Sequence, residues 1–204
     1  RFWADAALFC WGIRHRNIYT APKVTDHAAV FVFNHLSYMD IPVILKTFRR
    51  QPIRILGKAE MAKIPIFGFI YRKAVVMVDR SSSTARANSL SRLKASLRKN
   101  ISIIVAPEGT FNMTNKPLKD FYNGAFNAAI ETQTPIQPVI FLDAYDRMPY
   151  ETIFSLNPGR SRSVFLEEIK VDGYTMDDVH LLRNLVYRRM EEAIINHKAS
   201  WIKN

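Results

Sequence analysis

The stretch Ala28-Ala29-Val30-Phe31-Val32-Phe33-Asn34-His35-Leu36-Ser37-Tyr38-Met39-Asp40-Ile41-Pro42-Val43-Ile44-Leu45 decides how this chain is read. Its opening six residues are apolar and carry β-branched and aromatic side chains, as a buried strand does, and Ile41 to Leu45 reads as the first turns of a helix. Between the two stand an imidazole and a carboxylate, His35 and Asp40. An acylation or hydrolysis site needs that pair: the imidazole takes a proton from a hydroxyl, and the carboxylate fixes its tautomer and stabilises the imidazolium. Five residues along a straight helix turn through about 500°, which leaves the side chains roughly 140° apart. They meet only if His35 lies in the loop before the helix. A loop at the carboxyl end of a strand is also where α/β sheets hold ligands. Taken alone, the spacing equally describes a surface histidine with an aspartate downstream.

Further blocks follow in order. Gly57-Lys58-Ala59-Glu60-Met61 comes after a short strand, Ile53 to Leu56. Val75 to Val78 runs into Asp79-Arg80-Ser81, and Ile101 to Ala106 runs into Pro107-Glu108-Gly109-Thr110. Thr134-Pro135-Ile136-Gln137-Pro138 begins another apolar run. Through these blocks, residues 17–145 closely resemble the 1-acyl-glycerol-3-phosphate acyltransferase family of glycerolipid synthesis. Four family blocks are carried in register, by Asn34-His35 to Asp40, Val78-Asp79-Arg80, Pro107 to Thr110 and Pro135 to Pro138.

Bulk composition narrows the alternatives. The 204 residues are 48% hydrophobic, enough for one domain with its own core. The net charge of +11 calls for an anionic partner. Zinc-finger spacing, RNP-like aromatics and a compact helix-turn-helix signal are all missing, so a membrane surface is expected and nucleic acid is not. No Cys/His cluster has metal-ligand spacing and no P-loop or G-x-G-x-x-G is present, so no metal or nucleotide is expected. The single Cys10 cannot form an internal disulfide, which suits a reducing compartment.

The sequence opens on Arg1 rather than Met, which leaves room for an upstream piece. Phe2 to Ile13 is apolar nearly all round, apart from Asp5, but shorter than the roughly 20 residues a spanning helix takes. Trp3 and Trp11, followed by Arg14, His15 and Arg16, have the chemistry of a membrane interface. Residues 1–16 are therefore expected to form a membrane-associating helix and 17–204 a catalytic domain, at the cytoplasmic face of a membrane. Packing of that helix on the domain is the alternative.

Strands are expected at Val30–Phe33, Ile53–Leu56, Val75–Val78, Ser102–Ala106 and Ile136–Leu142, with Ser163–Ile169 as an antiparallel edge. Between and after them lie helical stripes: Ala87, Leu90, Leu93, Leu97; Phe121, Ala125, Ala128, Ala129; and Val179, Leu182, Val186, Met190, Ala193. Pro135 suits a strand start and Pro138 an edge or bulge. Alternating strands and helices predict a single α/β domain, its mixed, largely parallel sheet covered by helices on both faces.

The resemblance implies roles for individual residues. His35 would be the general base and Asp40 its orienting partner, with no covalent acyl-enzyme. Ser37 reads as a helix cap rather than a nucleophile, and no G-x-S-x-G elbow exists. Arg80, a guanidinium at a strand end, suits bidentate phosphate recognition and would hold the acceptor's phosphate, with Lys58 adding charge. Glu108 would accept a hydrogen bond from the acceptor hydroxyl or orient Arg80. Gly109 leaves backbone freedom and room for substrate, and Thr110 completes the block. Phe111 departs from the family pattern, which usually has a basic residue there, and Lys116 or Lys119 would compensate. The implied reaction moves a fatty acyl group from an acyl thioester, carried on coenzyme A or acyl carrier protein, to the hydroxyl of a lyso-glycerolipid, giving phosphatidic acid. Other acceptors (a lysophospholipid, an aminoacyl lyso-lipid, glycerol 3-phosphate) and a non-catalytic lipid-binding module are the rival readings.

Overall fold

A computed structural model of the chain describes residues 2–22, 26–49, 51–58, 75–78, 83–152 and 154–202. Among the described residues, seven strands form one sheet in the order β1-β7-β6-β2-β5-β3-β4. They are β1 (Ile13–Tyr19), β2 (Val30–Phe33), β3 (Ile53–Lys58), β4 (Val75–Val78), β5 (Ser102–Val105), β6 (Ile136–Phe141) and β7 (Gly159–Phe165). β4, β3, β5, β2 and β6 are mutually parallel. β7 pairs antiparallel with β6, and β1 pairs parallel with β7. The molecule is thus the expected single-domain α/β fold with a mixed, largely parallel sheet.

Helices cover both faces. α1 (Phe2–Cys10), α2 (Asp40–Thr47) and the short α5 (Ala144–Arg147) are on one side; α3 (Ser83–Leu97), α4 (Gly124–Thr132) and α6 (Val179–Asn196) are on the other. Side-chain alternation along the central strands makes this possible, since every residue of β2, β5 and β6 is buried. Val30 and Val32 point into the core under α3, α4 and α6, whereas Phe31 and Phe33 point under α1 and α2. On the second face Phe31 packs on Phe48 at 4.6 Å and on Phe165 at 6.2 Å between ring centroids. The small residues Ala125, Ala128 and Ala129 are buried and let α4 lie close to the sheet. In α6 the stripe Val179, Leu182, Val186, Met190 closes on Ile194, one residue beyond the expected Ala193.

Three expectations need correction. The helix over 1–16 stops at Cys10, because Gly12 takes φ +64, a left-handed conformation that ends helices, and its N–H bonds to Phe9 O. Arg14, His15 and Arg16 therefore belong to β1, a polar strand with too little apolar alternation to be recognised. β7 begins four residues before the expected Ser163 and is not an edge, since β1 covers it. Its missed half, Gly159-Arg160-Ser161-Arg162, is polar because Arg162 ion-pairs with Asp143 and Ser161 meets His15. Pro138, expected at an edge, sits in central β6. Its carbonyl accepts the Leu166 N–H at 2.9 Å, so its missing N–H faces the β7 side just past that ladder's end at Val139.

Candidate active site

β2 ends at Phe33, and Asn34 extends its pairing with a side chain. The Asn34 amide donates to Phe141 O at 3.1 Å and accepts from Phe141 N–H at 2.8 Å, anchoring the next loop to the end of β6. Ser37, fully buried, then shapes the turn. Its hydroxyl accepts the Met39 N–H at 2.9 Å and donates to the Met148 carbonyl. A serine committed in this way is no nucleophile. The helix begins at Asp40, so His35 lies in the preceding loop, as helical geometry requires.

The Asp40 carboxylate is buried and its Oδ2 gathers three donors: His35 Nδ1 at 2.7 Å, Leu36 N–H at 3.1 Å and Ser37 N–H at 3.2 Å. A carboxylate only accepts, so Nδ1 carries a proton, and the tautomer this bond selects has its lone pair at Nε2. Nε2 makes no hydrogen bond among the described residues, and the side chain is 28% exposed. Phe33 and Phe111 stand edge-on to the imidazole at 5.8 and 4.4 Å, and Tyr38 packs on Phe111 at 4.9 Å. Two aromatic rings thus pack against the imidazole, which stays partly exposed. Phe111, where the family usually has a charge, is one of those rings.

Both main-chain groups of His35 are also held. Its N–H donates to Glu108 Oε1 at 2.9 Å, and its carbonyl accepts the Asn112 N–H at 2.7 Å. The second Glu108 oxygen accepts the Lys119 N–H at 2.9 Å. Glu108 thus ties the His35 loop to the segment after β5. Asn112, whose side chain bonds Lys116 O and accepts from Thr114, was missed in the sequence; the Asn112-x-Thr114 spacing of an Asx turn is its only signal.

Burial pushes the Glu108 carboxyl up to about 7, against the opposing pull of the Lys119 and His35 N–H groups. The unfolded chain releases this proton near the ordinary value of 4.5, so between the two values the folded state holds more protons. Stability from this group is complete below pH 4.5 and is lost as pH rises through about 7, by up to about 3 kcal/mol. Urea midpoints measured from pH 4 to 8 should show that decline in the wild type and a flatter profile in Glu108→Gln.

Gly109 follows with φ +74, where a side chain would be strained. Thr110 is exposed, and its hydroxyl accepts from Lys119 Nζ at 2.7 Å. Lys58 closes β3 beside Val78, but its side chain lies outside the described residues, as does all of Arg80. The structure therefore brings together His35, Asp40 and Glu108, with Gly109 and Thr110 on the adjoining loop. A cavity of ≈ 520 Å³ opens beside that loop, lined on its apolar side by Leu56, Leu90, Leu93, Val105 and Pro107. A second cavity of ≈ 380 Å³, lined by His27, Thr134 and Pro135, lies at the opposite ends of the strands, away from His35. Among the described residues, no cluster of three or more His, Cys, Asp or Glu could hold a metal ion.

Comparisons with known proteins place the chain in a family. The family model described as Acyltransferase matches residues 12–142. A 1-acyl-sn-glycerol-3-phosphate acyltransferase of Haemophilus influenzae is 31% identical over 190 residues, covering 92% of this chain and 76% of the relative. An uncharacterized acyltransferase of Schizosaccharomyces pombe is 32% identical over 82% of this chain, which spans 61% of that relative's length. The crystal structure of the 1-acyl-sn-glycerophosphate acyltransferase PlsC of Thermotoga maritima shares the fold, with a TM-score of 0.77 at 24% identity over 99% of this chain and 79% of that one. With a family model over more than half its length and a histidine poised on a buried aspartate within the matched segment, this chain belongs to the Acyltransferase family.

Proposed function

We propose that the protein transfers a fatty acyl group from an acyl thioester to the free hydroxyl of 1-acylglycerol-3-phosphate, forming phosphatidic acid. The observation that carries this reading is the 2.7 Å contact between His35 Nδ1 and buried Asp40, which leaves Nε2 without a hydrogen bond among the described residues. His35 Nε2 takes the hydroxyl proton as the acceptor oxygen attacks the thioester carbonyl. The carbon–sulfur bond then breaks, and the imidazolium returns the proton to the departing thiolate. Asp40 holds the ring and balances its transient charge. No covalent acyl-enzyme and no bound cofactor enter this sequence; the acyl donor, on coenzyme A or acyl carrier protein, is a cosubstrate. The name borne by the Haemophilus influenzae relative supports the acceptor. The apolar side of the ≈ 520 Å³ cavity suits an acyl chain.

Arg80 takes the acceptor's phosphate in this reading, Lys58 adds positive charge, and Gly109 and Thr110 border the acceptor. Glu108 acts from behind, through the His35 backbone. Phe111 favours a second acceptor class, because an aromatic wall replaces a phosphate-facing cation and a less anionic lyso-lipid fits beside it. The enzyme works at the cytoplasmic face of a membrane; exposed Trp3 and Phe9 on α1 support the membrane contact. No helix among the described residues is long and apolar enough to cross one.

The test is Arg80→Ala. Charge-assisted hydrogen bonds to phosphate are worth about 1.5–3 kcal/mol, so the KM for 1-acylglycerol-3-phosphate should rise by tenfold or more while donor KM holds. Equal effects on phosphate-bearing and uncharged acceptors would mean that Arg80 does not hold the phosphate.

A further inference from the structure

The outer strand pair β1–β7 carries an arrangement that the transfer reaction does not use. In register, Arg14 lies opposite Arg160 and Arg16 opposite Arg162, so four guanidinium side chains share one face of a two-strand edge. Like charges directly opposite each other weaken a strand pair, and the nearby Asp143 and Asp146 act chiefly on Arg162. Asp143, itself buried, is engaged by Arg162 through two contacts of 2.9 and 2.7 Å and lies 3.7 Å from Arg160 Nε. The Asp146 carboxylate accepts from the Ser200 hydroxyl, and Arg147 donates to the Pro158 carbonyl. Arg14 and Arg16 are exposed and have no ion-pair partner among the described residues, and the Arg160 side chain is 73% exposed.

Position adds to the chemistry. β7 runs antiparallel to β6, so its first residues stand at the end of the sheet where the parallel strands deliver the His35 loop. Both segments that lead into these strands present bare aromatics. α1, before β1, exposes Trp3 (50%) and Phe9 (84%), and the loop before β7 exposes Phe154 (90%). A hydrogen bond of 3.1 Å from Gly159 N–H to Gly12 O ties the starts of β1 and β7 together. Guanidinium groups match phosphate oxygens bidentately, while Phe and Trp partition into the boundary between headgroups and acyl chains. An acidic protein would use the charges but leave Phe9 and Phe154 without purpose.

We propose that Arg14, Arg16 and Arg160, on one face of the β1–β7 edge, form a docking surface for the anionic phospholipid headgroups of a bilayer. The inference rests on the reading of the enzyme as one that works at a lipid surface. It goes beyond that reading by moving the electrostatic contact from the terminal helix to the sheet edge, and by adding Phe154 as a second apolar anchor.

Flotation with phosphatidylcholine vesicles, with and without phosphatidylglycerol, tests it. The triple change Arg14→Gln, Arg16→Gln, Arg160→Gln spares Arg162, which holds Asp143. At roughly fivefold per cation near a charged surface, it should weaken binding to the phosphatidylglycerol vesicles on the order of 100-fold. Binding to phosphatidylcholine alone, the melting temperature and transfer to a detergent-dispersed acceptor should not change. The corresponding Lys variant should keep most of the binding, and Phe154→Ser should weaken binding to both vesicle types. Undiminished binding of a folded triple variant to anionic vesicles would overturn the proposal. So would a loss seen only as a higher KM for an acyl carrier protein donor, since the patch would then dock protein. Arginine-dependent flotation by an enzyme that shows no acyl transfer would instead leave this surface standing and remove the proposed reaction.

Discussion

His35→Ala is expected to lower acyl transfer by ~10²- to 10⁴-fold, the contribution of a positioned general base, while leaving the protein folded. The fold should survive because the imidazole is a partly exposed cap on the site, not a core side chain. Without it, Asp40 Oδ2 keeps the Leu36 and Ser37 N–H groups, and the main chain at position 35 keeps its bonds to Glu108 and Asn112. The loss should fall on kcat, with donor and acceptor KM little changed, because Nε2 acts on the proton in flight rather than on bound substrate. Steady-state kinetics paired with thermal melting separates this outcome from unfolding. A variant that retains more than about a tenth of the wild-type rate would fall short of the minimum for a base.

Asp40→Asn should cost kcat roughly 10²- to 10⁴-fold as well, for a different reason. An asparagine oxygen can still accept from Nδ1, Leu36 and Ser37, and its amide nitrogen would occupy the place of Oδ1, which has no hydrogen-bond partner among the described residues. The turn is preserved, yet the negative charge that balances the imidazolium is gone. Asp40→Ala adds a structural loss by leaving two buried N–H groups unpaired, each worth about 1–3 kcal/mol. The pair of variants therefore separates charge from scaffolding: equal rates but unequal melting temperatures are expected. An Asn variant at wild-type rate would reduce Asp40 to a turn-former.

Much of this was legible in the chain because the central strands bury both faces and so read as continuous apolar runs. Val30–Phe33, in the middle of the sheet, has the expected limits, as does β4 at its end, and the loop position of His35 followed from helical geometry alone. The parts that escaped are polar for reasons that only the fold supplies. Ile13 to Tyr19 alternates too little to look like a strand, because its His15 meets Ser161 and Thr47 across the structure and its arginines face solvent. Gly12, the residue that ends α1, lies inside the apolar run from Phe2 to Ile13, so the run hides the stop. Glu108 was expected to accept from the acceptor hydroxyl or to orient Arg80. Its place after a strand suggested contact with substrate, whereas its two oxygens hold the amides of His35 and Lys119, partners 73 and 11 residues away.

Thiol release from acyl-coenzyme A or acyl carrier protein, followed with and without a panel of lyso-lipids, is the decisive readout for His35-driven acyl transfer. Release should require an acceptor, yield one ester product per thiol, run fastest with 1-acylglycerol-3-phosphate, and collapse in His35→Ala. Release at the same rate without any acceptor, or undiminished release by His35→Ala, would contradict the proposed reaction.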